Sequence, residues 1–148
     1  MIEPANIEFR VAIKEDMYGL ARLNNIFNDV DESAEAIWSR IEHPKCAEIP
    51  IVAVIDNHVI GFTGLRIVPN IFYPGAHAEI TELFVEEKYR RQGIASALMR
   101  CAEKIAKTRD AKEIVLHTGE DNQSARALYA TLGYDEWELV LGRELDAE

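Results

Sequence analysis

The residues best placed to do chemistry are the run Lys88-Tyr89-Arg90-Arg91-Gln92-Gly93-Ile94-Ala95-Ser96, between a β-rich segment and an amphipathic one. A strand that turns into a helix here presents the helix's unpaired N–H groups and about half a positive charge, which can hold a phosphate or pyrophosphate. Gly93 lets the backbone approach a ligand closely, and the small Ala95 and Ser96 keep the first turn open. Lys88, Arg90 and Arg91 add basic charge, which serves either a phosphate or solvent. Two familiar phosphate loops are excluded, since neither G-x-x-x-x-G-K-[ST] nor G-x-G-x-x-G is present after the strand. A nucleotide domain of another kind would need an acidic residue after a second strand to read a ribose, and none is so arranged.

These residues must be positioned by their flanking elements. His77 to Val85 reads as a strand, and Gly93 to about Arg109 as a long helix with Ile94, Leu98, Cys101, Ala102 and Ile105 on one stripe. Upstream, Ile7–Ile13 alternates as a first strand. Two helices follow, one with Met17, Leu20, Ala21, Asn24 and Phe27 at helical spacing, the other capped by Ser33 and ended before Pro44. Ile49–Ile55 and Val59–Val68 form a hairpin around Asp56-Asn57-His58. The loop Pro69–Gly75 carries Ile71, Phe72 and Tyr73, which fit either a lid or ordinary packing against something apolar. Downstream come a fifth strand, Glu113–Thr118, a helix opened by Asn122 and ended by Gly133, and final strands at Tyr134–Trp137 and Val140–Leu145. The layout is mixed α/β with two strand–helix–strand crossovers.

The sequence R-R-Q-G-I-A after Glu-Leu-Phe-Val resembles the coenzyme A loop of the GNAT superfamily of N-acetyltransferases, [RQ]-x-x-G-x-[GA], which falls on Arg90, Gly93 and Ala95. A second family motif, N-x-x-A-x-x-L-Y-x-x-L-G-[FY], runs from Asn122 to Tyr134. The resemblance implies one α/β domain over residues 1–148, with a mixed, mostly antiparallel central sheet of six to seven strands and about four flanking helices. It also implies acetyl-CoA as co-substrate, held by Arg90, Arg91, Gln92, Gly93, Ile94, Ala95 and Ser96, with Asn122, Ala125 and Tyr129 contributing from the second motif.

The implied reaction is direct acetyl transfer to an amine in a ternary complex. An amine like that of lysine has a pKa near ~10.4 and must lose a proton before it attacks. Glu79 and Glu82 are the candidate bases, both matched by relatives; strand alternation puts them on opposite faces unless a bulge intervenes. Either can equally be a solvated or paired carboxylate. The thioester oxygen needs backbone donors, which in the family come from a bulged fourth strand, here Leu83, Phe84 and Val85. Tyr129 occupies the family position of the acid that protonates the leaving thiolate, although its spacing with Ala125 and Leu132 also fits a core tyrosine. Asn122 is both a good helix cap and the family's coenzyme contact. His117 is a further candidate substrate contact.

Composition narrows the setting. The chain has 148 residues, 48% hydrophobic and 28% charged, with a net charge of −10. That charge disfavours nucleic acid and anionic membranes and suits a cationic acceptor, or serves solubility alone. No apolar run approaches the ~20 residues of a membrane span, and MIEPANIEFR lacks the features of a signal peptide, so the expected location is cytoplasmic. Cys46 and Cys101 show no metal-binding or disulfide spacing and are expected as buried thiols, and no metal is expected. The expected partners are a small-molecule or protein amine and a second copy of the chain in a homodimer. The alternative function is a module on the same fold that binds acetyl-CoA as a sensor or assembly partner without turnover.

Overall fold

Asp56 and Asn57 both take positive φ, 46° and 63°, the backbone of a two-residue type I′ turn whose twist matches that of its strands. The turn joins β2 (Glu48–Ile55) to β3 (His58–Pro69), the hairpin expected from sequence. The computed structural model describes residues 6–146; the ends of the expected domain, 1–5 and 147–148, lie outside them. The chain divides into two compact units, Met1–Leu116 and His117–Glu148.

The first unit is built on a five-stranded sheet in the order β1-β2-β3-β4-β5. The other strands are β1 (Glu8–Val11), β4 (Ala76–Val85) and β5 (Ala111–Leu116); all neighbours are antiparallel except β4 and β5. That parallel pair requires a crossover, supplied by α3 (Ile94–Thr108). On α3 the buried positions are Ile94, Leu98, Met99, Ala102 and Ala106, so the stripe is centred slightly off the expected one, with Cys101 and Ile105 on its shoulder.

The opposite face carries α1 (Met17–Asn28) and α2 (Ala34–Ile41). Leu20 and Leu23 of α1 pack with Val52, Val54, Val59 and Phe62, and Trp38 and Ile41 of α2 close the cluster. Ser33 caps α2 as expected, its Oγ accepting from the Ala36 N–H at 3.0 Å.

Three expectations are corrected. The sheet has five strands among the described residues rather than six to seven: after α4 (Gln123–Thr131) no strand forms, and Leu141 and Leu145 of the expected Val140–Leu145 strand are about nine-tenths exposed. A segment makes no strand when its N–H and C=O groups have no ladder to join. The side chains of Ile71, Phe72 and Tyr73 are exposed instead of covering apolar surface. Cys46 is exposed and Cys101 only half-buried.

Candidate active site

A β-bulge in β4 organises the first unit's polar surface. Leu65 pairs with Ile80 but Gly64 pairs with Glu82, so Thr81 is the extra residue. The Thr63 hydroxyl, buried beneath the bulge, donates to the Glu82 carbonyl at 2.6 Å. The inserted residue cancels the alternation that would have put Glu79 and Glu82 on opposite faces. Glu79 stands opposite Arg66 and Glu82 opposite Gly64, two residues apart on β3, so both glutamates share the face that carries α1 and α2.

Their surroundings differ. Glu79 meets the Arg66 guanidinium at 3.4 Å. At Glu82, burial pushes the carboxyl above the ordinary glutamate range, a hydrogen bond from Asn28 at the end of α1 opposes the rise, and the Glu48 charge adds to it. Burial beside a second negative charge strengthens a carboxylate as a base. Glu48, Asn28 and Arg66 were not legible as site residues, because their nearness follows from strand register and helix docking.

The other edge of β4 opens at the same place. β5 pairs with β4 only as far as Ile80, opposite Leu116, and from Thr81 to Val85 β4 has only β3 as a strand partner among the described residues. The Glu86 N–H bonds the Ile60 carbonyl of β3 at 2.9 Å. Alternation therefore directs the main-chain groups of Phe84 to β3 and those of Leu83 and Val85 to the open edge. Two of the three expected donors thus face a ligand that adds to the edge like a strand. Phe84 instead turns its ring toward Phe27 of α1, centroids 5.1 Å apart.

Arg22 of α1 fixes the point where the chain leaves the sheet, donating to Glu86 Oε1 and to the Val59 carbonyl, each at 2.9 Å. Although burial raises the Glu86 carboxyl, the Arg22 hydrogen bond and charge, helped by Lys88 and His58, bring it below its ordinary value. Beyond it, Arg91 and Gly93 both take positive φ, 62° and 77°. Gly93 is the N-cap of α3; no side chain caps the helix, and a Cβ at 93 would meet nothing within 4 Å. The N–H groups of Ile94, Ala95 and Ser96 thus lie at an unobstructed helix mouth. The Gln92 Oε1 is buried without a hydrogen-bond partner, an acceptor suited to a ligand donor. Open donors, dipole and orphan acceptor fit a phosphate-bearing coenzyme. The Arg90 Nε donates to the Val85 carbonyl at 2.9 Å, and its guanidinium lies 5.4 Å from the Phe84 ring centroid. Lys88 lies 5.2 Å from the Tyr89 ring centroid.

The second unit holds the other motif. Asn122 Oδ1 accepts from the Ala125 N–H at 3.3 Å and caps α4, the capping role expected of it. The helix ends in a Schellman arrangement, Tyr134 N–H to Tyr129 carbonyl at 3.0 Å and Gly133 N–H to Ala130 carbonyl at 3.1 Å, with Gly133 at φ 89°. Tyr129 is half-buried, and burial raises its phenol above the ordinary value, so it holds its proton at neutral pH. His117 is exposed, just after β5. Among the described residues no group of three His, Cys, Asp or Glu could hold a metal ion, and no helix is long and apolar enough to cross a membrane.

Known proteins resemble the chain in sequence and in fold. Residues 14–134 match the model of the acetyltransferase (GNAT) family. The chain is 35% identical over 83 residues to human N-acetyltransferase 8, covering 56% of this chain and 37% of that protein. It is 31% identical over 107 residues to an N-alpha-acetyltransferase of Saccharolobus solfataricus, covering 66% and 62%. The chain thus spans less than two thirds of the length of these relatives. An aminoglycoside N-acetyltransferase crystallised with CoA superposes with a TM-score of 0.81 at 18% identity, covering 95% of each chain, so the fold is shared.

Proposed function

Since the chain belongs to the acetyltransferase (GNAT) family, we propose that it is an N-acetyltransferase that passes an acetyl group from acetyl-CoA directly to an amine, using Glu82 to take the amine's proton. The observation that carries this reading is the Thr81 bulge. One distortion places Glu82 beside Glu79 on the α1/α2 face and coincides with the opening of the β4 edge at Leu83 and Val85.

Acetyl-CoA supplies the acyl group as a thioester. The N–H groups at the mouth of α3 would hold its phosphates, with Gln92 and the main-chain groups of Leu83 and Val85 along its arm; Asn122 and Ala125 are assigned to it from their motif. The Val85 N–H, fixed in the sheet before any ligand arrives, suits an oxygen that gains negative charge, at no cost in reorganisation. Glu82, raised by burial and by Glu48, binds a proton more readily than an ordinary glutamate and so removes one from an ammonium more effectively. In the balanced step Glu82 takes one proton from the ammonium and passes it to solvent; the amine nitrogen bonds to the acyl carbon and gives its second proton to Glu82, the carbon–sulfur bond breaks, and the thiolate takes a proton from Tyr129, which solvent replaces. Tyr129 is assigned from its motif and from a phenol that stays protonated.

The acceptor is proposed to be an amine at a protein N-terminus, the class named by the Saccharolobus relative. Carboxylates on the α1/α2 face and the net charge of −10 suit a cation. Thiol release from acetyl-CoA would be followed with peptides bearing free N-termini, with polyamines and with aminoglycosides. Peptide-dependent release supports the reading, release with polyamines or aminoglycosides alone reassigns the acceptor, and tight CoA binding without amine-dependent release favours a sensor.

A further inference from the structure

Two rows of cross-strand neighbours lie on the α1/α2 face. The first is Glu48, Arg66 and Glu79; the second is Pro50, Gly64 and Glu82. Row geometry would pair Glu48 with Arg66, its direct partner on β3. Instead the Glu48 carboxylate crosses diagonally to β4, where Oε1 accepts a hydrogen bond from the hydroxyl of Thr81, the bulge residue. The path runs over Gly64. A Cβ at that position would land on Thr81 Oγ1 and on Glu48 Oε1, so only glycine admits the crossing. Arg66 is left to Glu79.

We infer that Glu48 is a positioning residue for the acetyl-transfer site: anchored across Gly64 to the bulge hydroxyl of Thr81, its carboxylate is held beside Glu82, so that Glu82 rather than Glu79 takes the amine proton. The inference rests on the transferase reading above but makes a separate claim. Without the anchor, Glu48 would be drawn to Arg66, and both strand carboxylates would share one arginine's influence. With it, the arginine serves the first row and the second row keeps an uncompensated negative charge. The charged groups nearest Glu82 on this face are Glu48 from β2, Arg66 from β3 and Glu79 from β4; beyond Phe84 lies Glu86 with Arg22 of α1, His77 and Glu113 lie at the other end of β4, and α1 also contributes the neutral amide of Asn28. A like charge nearby disfavours ionisation, so the anchored Glu48 carboxylate adds to the rise that burial begins at Glu82.

The test is a carboxyl titration by NMR on the full chain labelled at glutamate Cδ, with the Glu82 signal assigned by its loss in Glu82→Gln. In Glu48→Gln the Glu82 midpoint should move to lower pH. In Thr81→Val, which keeps the Glu48 charge and removes its anchor, the midpoint should move the same way by less. A midpoint in Glu48→Gln that stays in place or rises overturns the inference, even if melting shows the variant less stable. Should Glu48→Gln not fold, Thr81→Val and Gly64→Ala, which displaces the carboxylate, decide by the same readout. Thiol release with the amine panel is scored separately. A shifted midpoint without amine-dependent release supports the Glu48 role and removes the transferase reading, and release with an unshifted midpoint does the reverse.

Discussion

The two sides of β4 beyond its bulge are made of different materials. Toward the open edge and the mouth of α3, the features that suit a ligand are main-chain groups, at Leu83, Val85 and Ile94–Ser96, with positive φ at Arg91 and Gly93. Toward α1 and α2 they are side chains, Glu48, Asn28, Glu79 and Glu82, whose effect depends on which of them share a neighbour. The first side can recognise any coenzyme of one shape, because main-chain groups and a helix dipole do not vary with side-chain identity. The second sets proton affinity and, in the proposed reading, serves the acceptor. Substitutions should therefore separate into those that change coenzyme binding and those that change chemistry.

The largest expected effect is on the chemical side. Glu82→Gln should lower kcat/KM on the order of 10²–10³-fold at neutral pH, the usual worth of a positioned base, with coenzyme affinity unchanged. Glu79→Gln, which removes a carboxylate already paired with Arg66, should cost about threefold or less by the same scale. Equal losses in the two variants would erase the distinction drawn between the rows. Tyr129→Phe should lower kcat by about 100-fold at neutral pH, because it removes a proton donor without removing the ring.

A smaller effect is expected on the coenzyme side. Gly93→Val puts a branched residue at φ 77°, which costs about 1–2 kcal/mol, and places bulk at the helix mouth. The KM for acetyl-CoA should rise about tenfold, because the side chain obstructs the helix mouth, while kcat stays near the wild-type value and the strain appears as a lower melting temperature. A fall in kcat with KM unchanged would mean that the loop does not bind the coenzyme.

The smallest effect is on stability. Glu82 is raised in the folded chain above its unfolded value, so its protonated form favours folding; that contribution is full at low pH and is lost as pH rises through the folded value. Glu82→Gln should therefore melt higher than wild type at about pH 8 and closer to it at about pH 4. A lower melting temperature at both would show that Glu82 supports the fold.

The two sides were unequally legible. The coenzyme side announced itself through Gly93 between a strand and an amphipathic helix, and the capping role of Asn122 and the terminating Gly133 were equally plain, because each requirement falls on a local residue type. The acceptor side was half legible. Glu79 and Glu82 could be named but not separated, since a bulge is a property of pairing: nothing in Ile80-Thr81-Glu82 says that Thr81 is the unpaired residue. Glu48 was missed because its reach depends on Gly64 lying between it and Thr81 in a three-strand register. The final strands failed for a related reason, as Val140–Leu145 has no strand partner among the described residues.

The measurement that bears most directly on the central claim is a paired one on wild type and Glu82→Gln, CoA affinity by calorimetry and amine-dependent thiol release from acetyl-CoA. The account requires the two proteins to bind CoA alike and only wild type to release thiol rapidly when an amine is present. Undiminished release by Glu82→Gln, or loss of CoA binding together with turnover, would contradict it.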